Sequence, residues 1–431
     1  MSKHLYLVPP CAKLTLLTPA EEAMAVSTTF TRENAVSVNY SDTKTTCVVA
    51  SIRNLVQIEG AYGTDAALAV RHIVHERARE FSMRKSGIVT FSGGLIFFVM
   101  PRNDYSDSDD VPHVLDDNSI VESVIAALGD EPVPTATGMI RAAIDASTPP
   151  DVDEPFDLDE VGSHAAQMGG KTWRAGYMAD MQTANGVFDS LERGELCFRY
   201  EKVCSACDIG IIGYYEALLC TTENGMPVSV GNKIPVLERL GLIGRLDKWV
   251  VASVIETLRA CPDVSLGCNV SVQSATLDGW WATIIERLTR EPQVARRLVV
   301  EITESAPFTD MDALRDFIRV LRLLGCRVAL DDVGAGHSCL KSLTELRVDM
   351  VKVDGSYLRH ARATDRARAR LRSLVQLARL CASHVVLEGI EREADVQISL
   401  ACDAQWVQGY LFDPIFGSDL THPVTNRDRG D

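Results

Sequence analysis

The chain has 431 residues, enough for two or three domains that each bury an apolar core. Its 46% hydrophobic and 24% charged residues are those of a soluble globular protein. A formal net charge of −16 argues against a broad polyanion-binding surface, and so against duplex nucleic acid, while leaving room for a small phosphate ligand held by metals or a local positive patch.

The opening MSKHLYLVPP lacks the long apolar core of a secretion signal, and nowhere do 18 apolar residues run unbroken. Membrane insertion is therefore not expected, and cytoplasmic residence is the default. Twelve cysteines are too sparse for a disulfide scaffold; Cys268, Cys326, Cys339 and Cys381 sit among apolar residues as small hydrophobes. Cys204 and Cys207 have metal or redox spacing but no second pair nearby. Thr45–Val56 and Gly87–Met100 read as strands, with Gly93 and Gly94 as a hairpin turn inside the second. Between them, Asp65–Met83 presents Ala66, Val70, Ile73 and Val74 on one helical face. His72 and His75 lie one turn apart there, without an acidic or cysteine partner at a recognisable offset. Residues 1–142 thus form a small α+β domain.

Ala143–His164 carries Pro149, Pro150 and seven acids with no apolar period, the composition of a linker. Residues 165–420 form the second domain and 421–431 a tail. Within it, short apolar runs at 265–272, 297–305, 327–336, 349–355, 384–391 and 406–412 alternate with helical stretches. In Asp312–Gly325, Leu314, Phe317, Ile318, Leu321 and Leu324 share a face that Gly325 ends; similar faces run through Trp249–Leu258 and Leu371–Leu380. This alternation requires a mainly parallel sheet, either closed or doubly wound. A closed barrel gathers all its strand ends at one mouth, whereas an open sheet gathers only those near a switch point. Candidate ligands at nearly every strand end favour the barrel.

Those candidates are Glu216, Asn269, Glu301, Asp331, Asp332, Lys352, Glu388 and Gln408. Acids packed together repel unless protonated or neutralised, and hard cations such as Mg²⁺ or Mn²⁺ accept carboxylate and amide oxygens. Adjacent Asp331 and Asp332 leave the backbone in different directions, so one can serve a first ion and the other a second. Two ions about 4 Å apart can activate water against a phosphodiester, with Lys352 orienting that water or balancing phosphoryl charge. Taken singly, each acid also fits a helix cap, as Asp332 or Glu304 would; the set, with its amide, lysine and glutamine, exceeds what capping requires. Gly334 and Gly336 allow a sharp turn beside the acids, which Glu304 could brace; a structural turn accounts for them equally.

The second domain resembles the EAL-type cyclic di-GMP phosphodiesterases through EALLC at 216–220, NVS at 269–271, EITES at 301–305, DDVGAGHSCLKSL at 331–343, VKVDGSYL at 351–358, EGIE at 388–391 and QGYLFDP at 408–414. KIPVLERLGLI at 233–243 is similar to the segment after the first motif. The resemblance implies a (β/α)8 barrel with one antiparallel strand, hydrolysing cyclic di-GMP to linear pGpG with two Mg²⁺ or Mn²⁺ ions and inhibited by Ca²⁺. It implies that Glu216, Asn269, Glu301 and Asp331 hold one ion and Asp332 the second. Glu388 would support the metal and water network, Lys352 would position the water, and Glu304 would brace the loop of Gly334 and Gly336. Gln408, Leu219 and Cys220 would line the ligand side. Dimerisation through this domain is a further implication.

Cys220 stands where the family usually has an arginine, Val333 and Ala335 replace residues of the usual DDFGTG loop, and Glu201–Lys202 replaces a glutamine-proline pair. These departures leave two alternatives to an enzyme: a catalytically weak cyclic di-GMP receptor, and a protein-interaction barrel without ligand. The first domain resembles a degenerate GGDEF domain through SIRNLVQIEGAYG at 51–63 and FSGGLIFFV at 91–99. Ser51 and Arg53 stand in place of metal-binding aspartates, Glu59 in place of a guanine-reading asparagine, and Leu95 and Ile96 in place of the signature acids. The resemblance therefore implies a regulatory, dimerising or partner-binding module without cyclase activity.

Overall fold

Two sheets organise the computed structural model, which describes residues 4–7, 35–39, 45–101, 117–148, 170–223, 226–303, 310–334, 340–416 and 420. In the first part, β1 (His4–Leu7) pairs with β2 (Ala35–Asn39). The strands β3 (Thr45–Ile52), β4 (Ile88–Ser92) and β5 (Leu95–Pro101) are followed by a hairpin of β6 (Val133–Thr135) and β7 (Gly138–Ile140), then by β8 (Ile144–Ser147). An antiparallel sheet in the order β4-β5-β3-β8 results. Ser92 faces Leu95 across a two-residue turn in which Gly93 and Gly94 both take positive φ, 60° and 85°. A primed hairpin turn needs this at both positions, which is why two glycines stand there.

Helices α1 (Leu55–Tyr62), α2 (Thr64–Arg84) and α3 (Asp117–Gly129) complete this part. The expected strand to Val56 stops at Ile52, because Leu55 already begins a helix. The expected linker also begins later than Ala143: Ile144–Ser147 is an edge strand on β3, and Ala146 is buried there. The remainder of the acidic segment, 149–164, lies outside the described residues, as does 165–169. Helix α4 (Lys171–Glu192) then leads into the second part, burying Tyr177, Met181, Ala184, Val187 and Phe188.

Eight strands close into a barrel: β9 (Leu196–Ser205), β10 (Ile212–Glu223), β12 (Leu266–Ser271), β13 (Leu298–Thr303), β14 (Arg327–Val333), β15 (Met350–Val353), β16 (His384–Leu387) and β17 (Trp406–Gln408). Strand β9 is antiparallel to both neighbours, β10 and β17, and the other contacts around the ring are parallel. Short β11 (Met226–Ser229) and β18 (Ile415–Phe416) extend β10 and β9. The closed barrel, rather than the open sheet, is the observed architecture.

The crossovers are α5 (Ile234–Leu240), α6 (Ile243–Ala260), α7 (Gly279–Arg290), α8 (Pro292–Ala295), α9 (Met311–Leu323), α10 (Leu340–Glu345), α11 (Gly355–Ala361), α12 (Asp365–Cys381) and α13 (Glu393–Ala401). In α9 the spacing i, i+3, i+4, i+7 buries Leu314, Phe317, Ile318 and Leu321; Asp310 caps its start, and Gly325 follows at φ 92°. No helix among the described residues is long and apolar enough to cross a membrane.

Candidate functional site

Period-two alternation sorts each barrel strand into an outer row, packed under the helices, and an inner row. Val203, Tyr214, Val299, Ala329, Met350 and Val386, one from each of six strands, form an apolar inner layer of their own. Two residues further toward the mouth, each strand places a polar group instead: Glu201, Glu216, Glu301, Asp331, Lys352 and Glu388. Gln408 joins them from β17, and Asn269 sits beside Glu301 in register. Six of these eight are buried, Asn269 and Glu388 half-buried. The sequence-predicted residues are therefore brought together by one geometric rule.

Lys352 occupies the centre. Its Nζ lies 2.9 Å from Glu216 Oε2, 2.6 Å from Glu301 Oε2, 3.1 Å from Asp331 Oδ1 and 2.9 Å from Glu388 Oε1. Although burial works against it, the four surrounding carboxyl groups hold this ammonium well above its usual range. Asn269 Nδ2 donates to Glu216 Oε1 at 2.7 Å and Gln408 Nε2 to Glu216 Oε2 at 2.5 Å. Although burial works against it, the Lys352 charge and these donors hold Glu216 below the ordinary carboxylate range.

One ammonium cannot balance the rest. Burial, together with the Glu216 charge, pushes Glu301 up to about 8; burial also raises Asp331 and lifts Glu388 well above the usual range. Protons are taken up where positive charge is short, and a bound cation would displace them. Glu216, Glu301 and Asp331 each offer an oxygen within 4.8 Å of one another, as do Asp331, Asp332 and Glu388. Asn269 Oδ1 and Glu301 Oε1 are buried without a hydrogen-bond partner, and such orphaned hard oxygens fit a divalent ion.

Asp331 and Asp332 both reach the site because β14 breaks its register between Leu330 and Val333, and Asp332 adopts a left-handed φ of 54°. A regular strand would send adjacent side chains to opposite faces; the bulge re-aims the second one. Asp332 is exposed at the rim, yet partial removal from water and the Asp331 charge push its carboxyl up to about 6. Gly334 follows at φ 99° with the Tyr357 ring against it. Glu304 and Gly336 lie outside the described residues.

Leu219 belongs to the outer row of β10 and packs on the main core, so its side chain turns away from the acids. Cys220, two residues beyond Leu218 and four beyond Glu216, is buried on the inner row, where burial raises its thiol pKa against the opposing Arg199 charge. Glu201 and Arg199 on β9 were not among the expected site residues. Their signal was the alternation of Cys197, Arg199, Glu201 and Val203 with apolar Phe198 and Tyr200 in a strand that no parallel repeat announces. Burial pushes the Cys204 thiol up to about 11, whereas Cys207 is exposed.

A closed barrel with a buried acidic layer at its C-terminal mouth, able to coordinate a divalent cation, defines the class. A family model for the EAL domain matches residues 184–414, and the chain belongs to that family. It is 33% identical over 236 residues to a signaling protein of Caulobacter vibrioides, covering 53% of this chain and 28% of that protein. To the cyclic di-GMP phosphodiesterase PdeF of Escherichia coli it is 28% identical over 203 residues, 46% of this chain and 27% of PdeF. Among solved structures, the PaMucR phosphodiesterase in complex with c-di-GMP is 25% identical with a TM-score of 0.50, covering 56% of this chain and 99% of that one. The EAL enzyme Bd1971 shares the fold at 22% identity and a TM-score of 0.52. The chain thus spans only about a quarter of the length of these two curated relatives.

Proposed function

We propose that the barrel is a metal-dependent phosphodiesterase that opens cyclic di-GMP to linear pGpG. The observation that carries this reading is the inner acidic layer, in which Glu301 Oε1 and Asn269 Oδ1 face one another's strand register without protein partners. The relationship to PdeF and to the ligand-bound PaMucR phosphodiesterase supports the choice of substrate. Glu216, Asn269, Glu301 and Asp331 would hold one Mg²⁺ or Mn²⁺, and Asp332 a second. When bound, such ions neutralise phosphodiester charge and acidify the attacking water. Lys352 fixes the carboxylates and donates toward the reacting oxygens, Glu388 supports it, and Gln408 holds Glu216 in its ionised form. Ca²⁺ would bind the same oxygens without sustaining turnover.

The first domain is proposed as a degenerate, non-catalytic GGDEF-like module that regulates the barrel, dimerises it or binds a protein partner. Supporting this, Ser51 faces Leu95 across β3 and β5, so two positions expected to carry carboxylates are neighbours without any. The proposed division is residues 1–148, an acidic linker, and the barrel after α4. A second reading, a cyclic di-GMP receptor of weak turnover, is favoured by one observation: Cys220 offers no positive charge to a phosphate from the inner row of β10.

Incubating the purified chain with cyclic di-GMP and Mn²⁺ or Mg²⁺, and following pGpG by chromatography, separates the two. Turnover abolished by Glu216→Ala is expected. Tight binding with no turnover above that variant would favour the receptor, and neither binding nor turnover would overturn both.

A further inference from the structure

The acid layer poses an electrostatic problem for any phosphate ligand. The mouth collects negative charge, and Lys352, the cation within the layer among the described residues, already faces four carboxyl groups. An anionic ligand therefore needs a fixed positive group at the rim with donor capacity to spare.

Strand β9 supplies one. Its antiparallel register sets Glu201 opposite Glu216, Arg199 opposite Leu218 and Cys197 opposite Cys220, without a break between Tyr214 and Thr221. Directly opposed residues point to the same face, so Arg199 rises from the inner row immediately above the acids, on the face shared by Glu216 and Cys220. Its outward neighbours Phe198 and Tyr200 pack under the helices, which confirms the alternation. The side chain is 26% exposed. Its Nη2 donates to Glu201 Oε1 at 2.7 Å, while its Nε is buried with no hydrogen-bond partner. Arg327, the other inner-row arginine with an unpartnered Nε, begins β14 below the layer, where it lies over the Tyr214 ring.

The Arg199 contact to Glu201 is not isolated. Gln408 Nε2 lies 3.4 Å from the other Glu201 oxygen and 2.5 Å from Glu216 Oε2, so a hydrogen-bonded path runs from the rim guanidinium to the centre of the site. Glu201 thus holds Arg199 in a defined pose, with Nε and the remaining edge left to donate. An unsatisfied buried N–H on a guanidinium is costly, and a phosphate oxygen relieves it with a charge-assisted bond.

We propose that Arg199 is a ligand-binding residue that grips a phosphate of the cyclic dinucleotide from β9, the strand beside Cys220, and that Glu201 is its positioning residue. This rests on the reading of the barrel as a cyclic di-GMP site and assigns the cation that this chain uses there.

The test uses the full chain, with cyclic di-GMP titrated calorimetrically in Ca²⁺ and KM and kcat measured in Mn²⁺. Arg199→Ala is expected to raise Kd and KM roughly 10- to 100-fold, with a smaller change in kcat. Arg199→Lys should recover part of the affinity, since a point charge replaces a fork. Glu201→Ala, which frees the guanidinium from its pose, should weaken binding by less than Arg199→Ala does, and Glu201→Gln, whose amide oxygen can still accept from Nη2, should recover part of that loss. Introducing Cys220→Arg into the Arg199→Ala chain should restore binding from the neighbouring strand. If Arg199→Ala melts below the assay temperature, Arg199→Gln, which keeps much of the stem, carries the same comparison. A wild-type Kd in Arg199→Ala overturns the assignment of Arg199 and leaves the parent reading standing, and a wild-type Kd in Glu201→Ala overturns the positioning role of Glu201. A wild-type chain that binds no cyclic di-GMP overturns the parent reading as well.

Discussion

At Gly267 the acid layer meets its steric limit. A Cβ there would collide with Glu301 Oε1 and stand 2.6 Å from the Tyr214 ring, so the strand beside Glu301 tolerates only hydrogen. Gly267→Ala is expected to cost about 1–3 kcal/mol as an overpacking change and to depress turnover by displacing Glu301. Chemical denaturation and a pGpG assay would check both, and an unchanged chain would mean that Glu301 can rotate freely. Lys352 is a second point of leverage. Removing the buried ammonium that keeps Glu216 ionised leaves that charge uncompensated, so Lys352→Met should lose about 3–5 kcal/mol without metal, and Mn²⁺ should raise its melting temperature more than it raises the wild type's. The acids themselves were legible in the sequence, because each ends an apolar run. Gly267 was not, since its requirement arises only when β10, β12 and β13 lie side by side. Leu219 lies off the acid layer although it belongs to the same motif, because a strand turns alternate residues to opposite faces.

Among the elements, α5 and α6 hold the mouth end of β12. Ser271 Oγ donates to Glu238 Oε1 at 2.7 Å, and the Ser271 N–H donates to Asp247 Oδ2 at 3.0 Å. Both acids are buried, and the serine they hold lies two residues beyond Asn269 in β12. Burial, with the Glu238 charge adding to it, pushes Asp247 up from an ordinary 3.8 to about 7. The native state therefore holds a proton here that the unfolded chain has lost, and between about pH 4 and 7 this group subtracts up to about 1.4 kcal/mol of stability per pH unit as pH rises. Asp247→Asn keeps the acceptor and abolishes the titration. Its stability relative to the wild type should rise between pH 5 and pH 8 in denaturant titrations; a constant difference would mean that Asp247 is ionised throughout. The parallel strands and amphipathic helices could be read from periodicity, as in α9. Strand β9 could not, because its antiparallel course follows no crossover helix, and the β14 bulge left no mark beyond the Asp-Asp pair.

In the whole molecule, the two parts share one hydrophobic cluster that runs from Val48 and Phe98 through Tyr177 and Phe188 to Leu266 and Phe317. Phe188 of α4 is its hinge in the literal sense of position: the Arg141 guanidinium from the first part lies 4.7 Å from its ring centroid and that of Arg245 from α6 lies 4.8 Å away. Around it, Lys248 Nζ reaches Glu122 Oε2 at 2.6 Å, Arg245 Nη1 donates to the Asp130 carbonyl at 2.8 Å, and Arg141 Nε donates to Asn185 Oδ1 at 3.0 Å. Such a seam is apolar at its centre and ion-paired at its edge, the anatomy of a permanent interface rather than of two tethered domains. The acidic composition of 143–164 suggested independent units, since a linker's sequence reports its own solvation and says nothing of what the flanking elements touch. Phe188→Ala is expected to cost about 3–5 kcal/mol and to split a single melting transition into two, because it removes the side chain that both guanidinium groups and both cores share. Scanning calorimetry of the full chain reads this directly. Two transitions already present in the wild type would show instead that the seam couples the parts weakly, and any regulatory signal from the first part would then have to reach the barrel by another route.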